Sequence, residues 1–284
     1  MLKQRVITAL ALLAVLLPAL FWPSPVPFGV VALLLISAAA WEWARLNGCG
    51  AGASLLMGAL CLGLCLLAWR VLGLESPPFG LWAVTGAAWV LVGALLLRAG
   101  VAGWPRIPRG VRLAGGLLAL VLAWLAVAQA RVIGINFLMS VLALVWAADI
   151  CAYFAGRAFG LRLTKRRLAP TISPGKSWEG VWGGMVGVLV LALCWVAADR
   201  WLGPASPSLY TLLAQQGWWL LLLAPLLLSA MSVVGDLFES LIKRSAGAKD
   251  SSTLLPGHGG VLDRVDALLP TLPLAMMLAS AGLK

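Results

Sequence analysis

The chain has 284 residues, 62% of them hydrophobic and only 11% charged, against about half and a quarter in ordinary soluble domains. That balance excludes a soluble globular domain. A formal net charge of +11 raises nucleic acid as a partner, but no basic stripe interleaved with exposed aromatics is present, and cytoplasmic loops of membrane proteins collect Lys and Arg.

The first run, MLKQRVITALALLAVLLPALFW, has the charge pattern of a signal peptide. No clear A-x-A cleavage site follows it, so a retained first helix is expected. Nine apolar spans are expected in all, near 6–22, 26–44, 53–74, 79–98, 111–130, 132–154, 178–198, 217–238 and 261–282, each near the length that crosses a hydrocarbon core. Connections such as PSPVP (23–27) and ESPPFG (75–80) carry turn residues. The expected fold is therefore an all-α polytopic membrane protein. With the N-terminus cytoplasmic, seventeen of the 21 Lys and Arg fall on the cytoplasmic side, leaving Arg70, Arg131, Arg200 and Lys284 on the other.

Residues 1–284 are expected to form one membrane domain. Spans 1–130 carry no recognisable chemistry and read as scaffold. The half 131–284 carries the polar residues and two long cytoplasmic loops, 155–177 and 239–260. The five cysteines form no CxxC pair and mostly lie in apolar runs, so they read as small core residues. A single histidine, His258, excludes a multi-His metal site.

Ten acids stand in the chain, and ionised groups at membrane depth face a cavity or a partner. Asp149 and Asp236 fall near the cytoplasmic ends of spans, and Asp263 and Asp266 open the last one. With Asp250, these four are expected to converge at the membrane surface. Asp263 and Asp266 are three apart, on one helical face. Such a pair suits a hard divalent cation shared with substrate phosphates; equally, acids at a helix start complement its dipole.

PGHGG (256–260) precedes them. Its Gly259 and Gly260 allow backbone N–H groups to approach a phosphate, and His258 suits hydrogen bonding or proton transfer. An ordinary loop-to-helix turn is the alternative. Ser240, Lys243, Arg244 and Lys249 flank the acids, with Arg264 among them, and suit phosphate neutralisation. In TISPGKSWEG (171–180) a P-loop would need a glycine where Pro170 stands, so that reading fails; Ser173 and Lys176 remain candidates for phosphate contact. GVWGGMVG (180–187) has small residues at the spacing of close helix packing.

The stretch S-L-I-K-R-x4-K-D-x4-L-P-G-H-G-G-V-L-D-R-V-D, 240–266, resembles the signature of the phosphatidate cytidylyltransferases, or CDP-diglyceride synthases, without departure from it. DICAYFAGRAFG (149–160) and SPGKSWEG (173–180) are similar to two further blocks of that family. The resemblance implies that CTP and phosphatidate give CDP-diacylglycerol and pyrophosphate, with Mg²⁺ and room for a second metal ion. It implies a multi-pass enzyme of the cell inner membrane, a homodimer among membrane lipid, with its active site facing the cytoplasm and no nucleic-acid partner. On this reading Asp263, Asp266, Lys249, Asp250 and His258 carry catalysis, and Asp149, Asp236, Asp250, Asp263 and Asp266 are the metal candidates. Ser173, Lys176, Ser240, Lys243, Arg244, Gly259, Gly260 and Arg264 are the substrate-binding candidates. Two alternatives remain: a CTP-dependent polyprenol or lipid kinase, and an ion-coupled transporter. No internal repeat supports transport.

Overall fold

The computed structural model describes residues 2–75 and 79–282. In a bilayer the backbone must satisfy its own hydrogen bonds, so the apolar runs become helices. In order these are α1 (Leu2–Phe21), α2 (Val26–Leu46), α3 (Ala51–Leu72), α4 (Phe79–Gly103), α5 (Arg109–Ile133) and α6 (Ile135–Phe159). They continue as α7 (Trp178–Leu202), α8 (Leu209–Gln216), α9 (Trp218–Ser245), α10 (Leu262–Val265) and α11 (Leu268–Gly282). Eight of these, α1 to α7 and α9, are long and apolar enough to cross a membrane. The all-α expectation is met.

The ninth expected span takes a different form. Residues 261–282 divide into the single turn α10 and the 15-residue α11. At 1.5 Å per residue, α11 is shorter than a hydrocarbon core. It packs against α4, α5, α8 and α9, and residues 269–276 are all buried. An apolar helix sheathed on every side is a core helix.

The long expected loops are shorter than the sequence suggests. Helix α9 runs through 239–245 because no Pro or Gly interrupts it; Gly247 stops it with φ 68°. There the N–H of Gly247 donates to the Arg244 carbonyl and that of Ala248 to Lys243, a glycine-terminated helix end. Ser240, Lys243 and Arg244 are thus helical. In the other loop, β1 (Arg167–Ala169) pairs antiparallel with β2 (Ser173–Ser177). The Ser177 hydroxyl accepts from the Gly180 N–H at 3.2 Å, capping α7.

Close packing of α6 and α7 holds that hairpin over α9. A methyl group at Gly183 would collide with Ala155, and one at Gly187 with Cys151. The small residues of 180–187 serve backbone approach, as their spacing predicts.

Candidate active site

Two neighbouring lysine–carboxylate clusters stand on one face of the last turns of α9. In the first, Lys176 at the end of β2 reaches Asp236 of α9, with Nζ 2.5 Å from Oδ2. Ser240, one turn on, donates to Asp236 Oδ1 at 3.2 Å. Asp149 of α6 joins Lys176 and Asp236 in lining a cleft of about 420 Å³ with Tyr153 and Arg157. Arg157 itself donates to the Tyr153 hydroxyl at 3.1 Å.

The second cluster is built on Lys243. Its ammonium lies 2.6 Å from Asp263 Oδ1 and also pairs with Glu239 one turn earlier. The other Asp263 oxygen accepts from the Gly260 N–H at 2.7 Å, the Ser251 N–H at 2.9 Å and the Ser251 hydroxyl at 2.8 Å. Asp263 therefore ties both ends of the 251–260 loop together. It lies outside the spanning helices. Burial pushes its carboxyl up, but Lys243, Gly260 and Ser251 outweigh burial and hold it at about 2.

Asp266 lies at the break between α10 and α11. Its backbone rests on α9, where a methyl at Gly235 would strike the Asp266 carbonyl. Burial, and next the Asp236 carboxylate, push the Asp266 carboxyl up to about 7. Asp266 thus links the electrostatics of the two clusters.

The remaining candidates are arranged around the loop. Gly257 and Gly259 adopt φ of 77° and 80°, which a side chain disfavours. A Cβ at Gly259 would stand 2.8 Å from the Asp263 carboxylate and 3.6 Å from Asp250 Cβ. The Gly260 N–H is already engaged by Asp263. Arg264 grips the His258 carbonyl through Nε at 3.1 Å and Nη2 at 2.7 Å, which braces the turn. Lys249, Asp250 and Arg244 are exposed at its rim, and Ser173 is half-buried on β2.

One residue of the set was not anticipated as functional. Glu42 of α2 is fully buried. It accepts from the backbone N–H groups of Val261 at 3.0 Å and Leu262 at 2.7 Å. It also accepts from the hydroxyls of Ser252 at 2.5 Å and Ser251 at 3.2 Å. A carboxylate from the N-terminal half thus caps α10 and fixes the loop. The sequence held a signal: an acid inside AAWEWA, within an apolar span, requires a partner. Helix α1 also touches this loop, with Thr8 donating to the Pro256 carbonyl at 2.9 Å.

The five proposed metal ligands do not form one cage. Among the described residues, no group of three or more acids, thiols or imidazoles is placed to hold an ion as it stands. Asp236 and Asp263 each hold a lysine ammonium instead. Carboxylate oxygens are the donor type that a magnesium ion takes, but as they stand two of the five are neutralised by lysine.

Residues 3–281 match the cytidylyltransferase family. The chain belongs to it. Over 287 residues it is 41% identical to the phosphatidate cytidylyltransferase of Pseudomonas aeruginosa, covering 99% of this chain and 98% of that protein. The enzyme of the same name from Haemophilus influenzae is 35% identical over 96% of each chain. That of Bacillus subtilis is 39% identical over 140 residues, 49% of this chain and 46% of that protein.

Proposed function

We propose that this member of the cytidylyltransferase family transfers the cytidylyl group of CTP to phosphatidate, giving CDP-diacylglycerol and pyrophosphate. The observation that carries the reading is the near full-length match to relatives named for that activity. A phosphatidate oxygen attacks the α-phosphorus of CTP. The bond from that phosphorus to the bridging oxygen breaks, and pyrophosphate leaves with the electron pair. The nucleophile is already an anion, so the site's task is to bring two polyanions together.

Lys176 and Lys243 are the ammonium groups placed for this, the first restrained by one carboxylate and the second by two until phosphate arrives. Ser173 and Ser240 offer hydroxyl contacts beside Lys176. Arg244, Lys249 and Arg264 extend positive charge to the rim, where CTP enters. Gly259, Gly260 and His258 shape the turn against which a phosphate rests. Asp149, Asp236, Asp250, Asp263 and Asp266 would hold one or two magnesium ions, whose charge would offset that of the pyrophosphate.

The distribution of Lys and Arg supports a cytoplasmic N-terminus and a site facing the cytoplasm, in the inner membrane. We place a homodimer in that membrane as the working assembly. The test is an assay of purified protein with labelled CTP, phosphatidate and Mg²⁺. Lipid-linked cytidine and pyrophosphate should form together and vanish with EDTA. Formation of CDP and a newly phosphorylated lipid alcohol would instead identify a kinase.

A further inference from the structure

A second recess lies on the opposite side of α9 from Asp236. It has a volume of about 440 Å³ and opens between α4 and α5, a size suited to a small ligand or part of a lipid. Phe238 lines it, whereas Asp236 lines the polar cleft. Two residues apart on a helix point to nearly opposite sides. The recess is therefore separate from the proposed reaction centre.

Its floor is aromatic. Phe238 stacks on Trp43 at 6.0 Å and meets Trp89 and Trp104 edge-on at 5.5 Å and 5.8 Å. Its rim is aliphatic and faces outward: Val84 is 71% exposed and Leu118 59%. In a bilayer these side chains meet acyl chains.

Two lining residues carry a buried polar atom without a partner, unlike Thr85 and Trp43, whose polar atoms are satisfied by the Leu81 and Arg112 carbonyls. Trp104 is 4% exposed, and its Nε1 has no hydrogen-bond partner. Arg112 Nε is likewise buried and unpartnered, with its guanidinium 5.8 Å from the Trp104 ring centroid. Among the described residues no ion pair includes Arg112. Both atoms are donors, and both belong to residues that line the recess. A buried donor without a partner is costly, and what is missing is an acceptor. Arg106 and Arg109 add positive charge at the same end of the α4–α5 hairpin. The apolar face of a second copy would leave both donors unmatched. An amphiphile with an anionic head would not.

We propose that this recess binds an anionic diacyl phospholipid of the surrounding bilayer. Its phosphate or ester oxygens accept from Arg112 and Trp104, and an acyl chain lies on the aromatic floor. It is a resident lipid, not the lipid that reacts.

The test uses the full chain, delipidated in detergent, with phosphatidylglycerol as probe and phosphatidylcholine as neutral comparator. Phosphatidylglycerol has no phosphomonoester to present to the reaction centre. Bound lipid is counted by native mass spectrometry and affinity measured by titration. Phosphatidylglycerol should bind at least about tenfold more tightly than phosphatidylcholine, and Arg112→Gln should remove about that factor, as expected for one charge-assisted hydrogen bond. Trp104→Phe keeps a ring but loses the donor and should weaken binding less. Gly115→Leu should abolish it: Gly115 lines the recess and a Cβ there meets nothing within 4 Å. Helicity and elution volume report folding, and Arg112→Lys replaces the Gln variant if that fails to fold, with weakened affinity expected. Equal affinity for the two lipids overturns the proposal. So does undiminished phosphatidylglycerol binding by the Gly115→Leu variant. A change in oligomeric mass on Gly115→Leu without loss of lipid assigns the recess to an interface between copies, and also overturns it.

Discussion

Replacing Glu42 probes whether the N-terminal half organises the site. Its two carboxylate oxygens each accept one backbone N–H and one serine hydroxyl of the 251–262 segment. In Glu42→Gln one oxygen becomes an NH₂ group. The serine hydroxyl beside it can rotate and accept, but the backbone N–H cannot. One buried donor is then left facing another, at about 1–3 kcal/mol. That corresponds to a roughly 5- to 150-fold rise in local opening of the loop. In Glu42→Ala both N–H groups lose their acceptor, and the cost is about double. Hydrogen exchange should therefore accelerate across 250–262 in the Gln variant while α5 and α6 keep their protection. Cytidylyl transfer should fall at least about tenfold, because the same loop positions Asp263. Wild-type exchange and wild-type turnover in Glu42→Gln would refute the reasoning.

Asp263→Asn should abolish turnover with the helices intact, read by product formation alongside circular dichroism. The Asp263 carboxyl is held at about 2, below its ordinary 3.8, so its contribution to stability is full above about pH 4 and lost as pH falls through about 2. In EDTA the wild type should exceed Asp263→Asn by about 2 kcal/mol near pH 6, and the gap should close near pH 2; a gap independent of pH would contradict the assignment. Lys176→Met leaves Asp236 without its ammonium and should raise KM for one of the two phosphate-bearing substrates at least about tenfold, measured by steady-state kinetics. Gly187→Val forces a side chain into Cys151 and should lower thermal stability by about 1–3 kcal/mol, followed by thermal unfolding in detergent.

Much of the protein was legible because hydropathy is a local property. Run lengths identify α1 to α7 and α9, since a continuous apolar run of about 20 residues satisfies its backbone hydrogen bonds in lipid as a helix. The glycine spacing of 180–187 announced close helix packing, though not that α6 is the partner, and the 240–266 signature pointed to the family to which the chain belongs. Helix ends were less legible. Nothing in SLIKRS forbids helix, so α9 runs on to Ser245 and carries Lys243 toward Asp263.

Partner choice was decided only by the tertiary structure. Lys176 and Asp236 are 60 residues apart, and Glu42 and Val261 are 219 apart. No periodicity or spacing encodes such pairs. They form because each buried charge must find its counter-group among whatever the packed helices bring near. The final segment shows the same limit. Its composition reads as a span, yet its neighbours enclose it on every side as α11, a core helix. Composition alone determined that these residues leave water; packing determined that they are buried in protein and not in lipid.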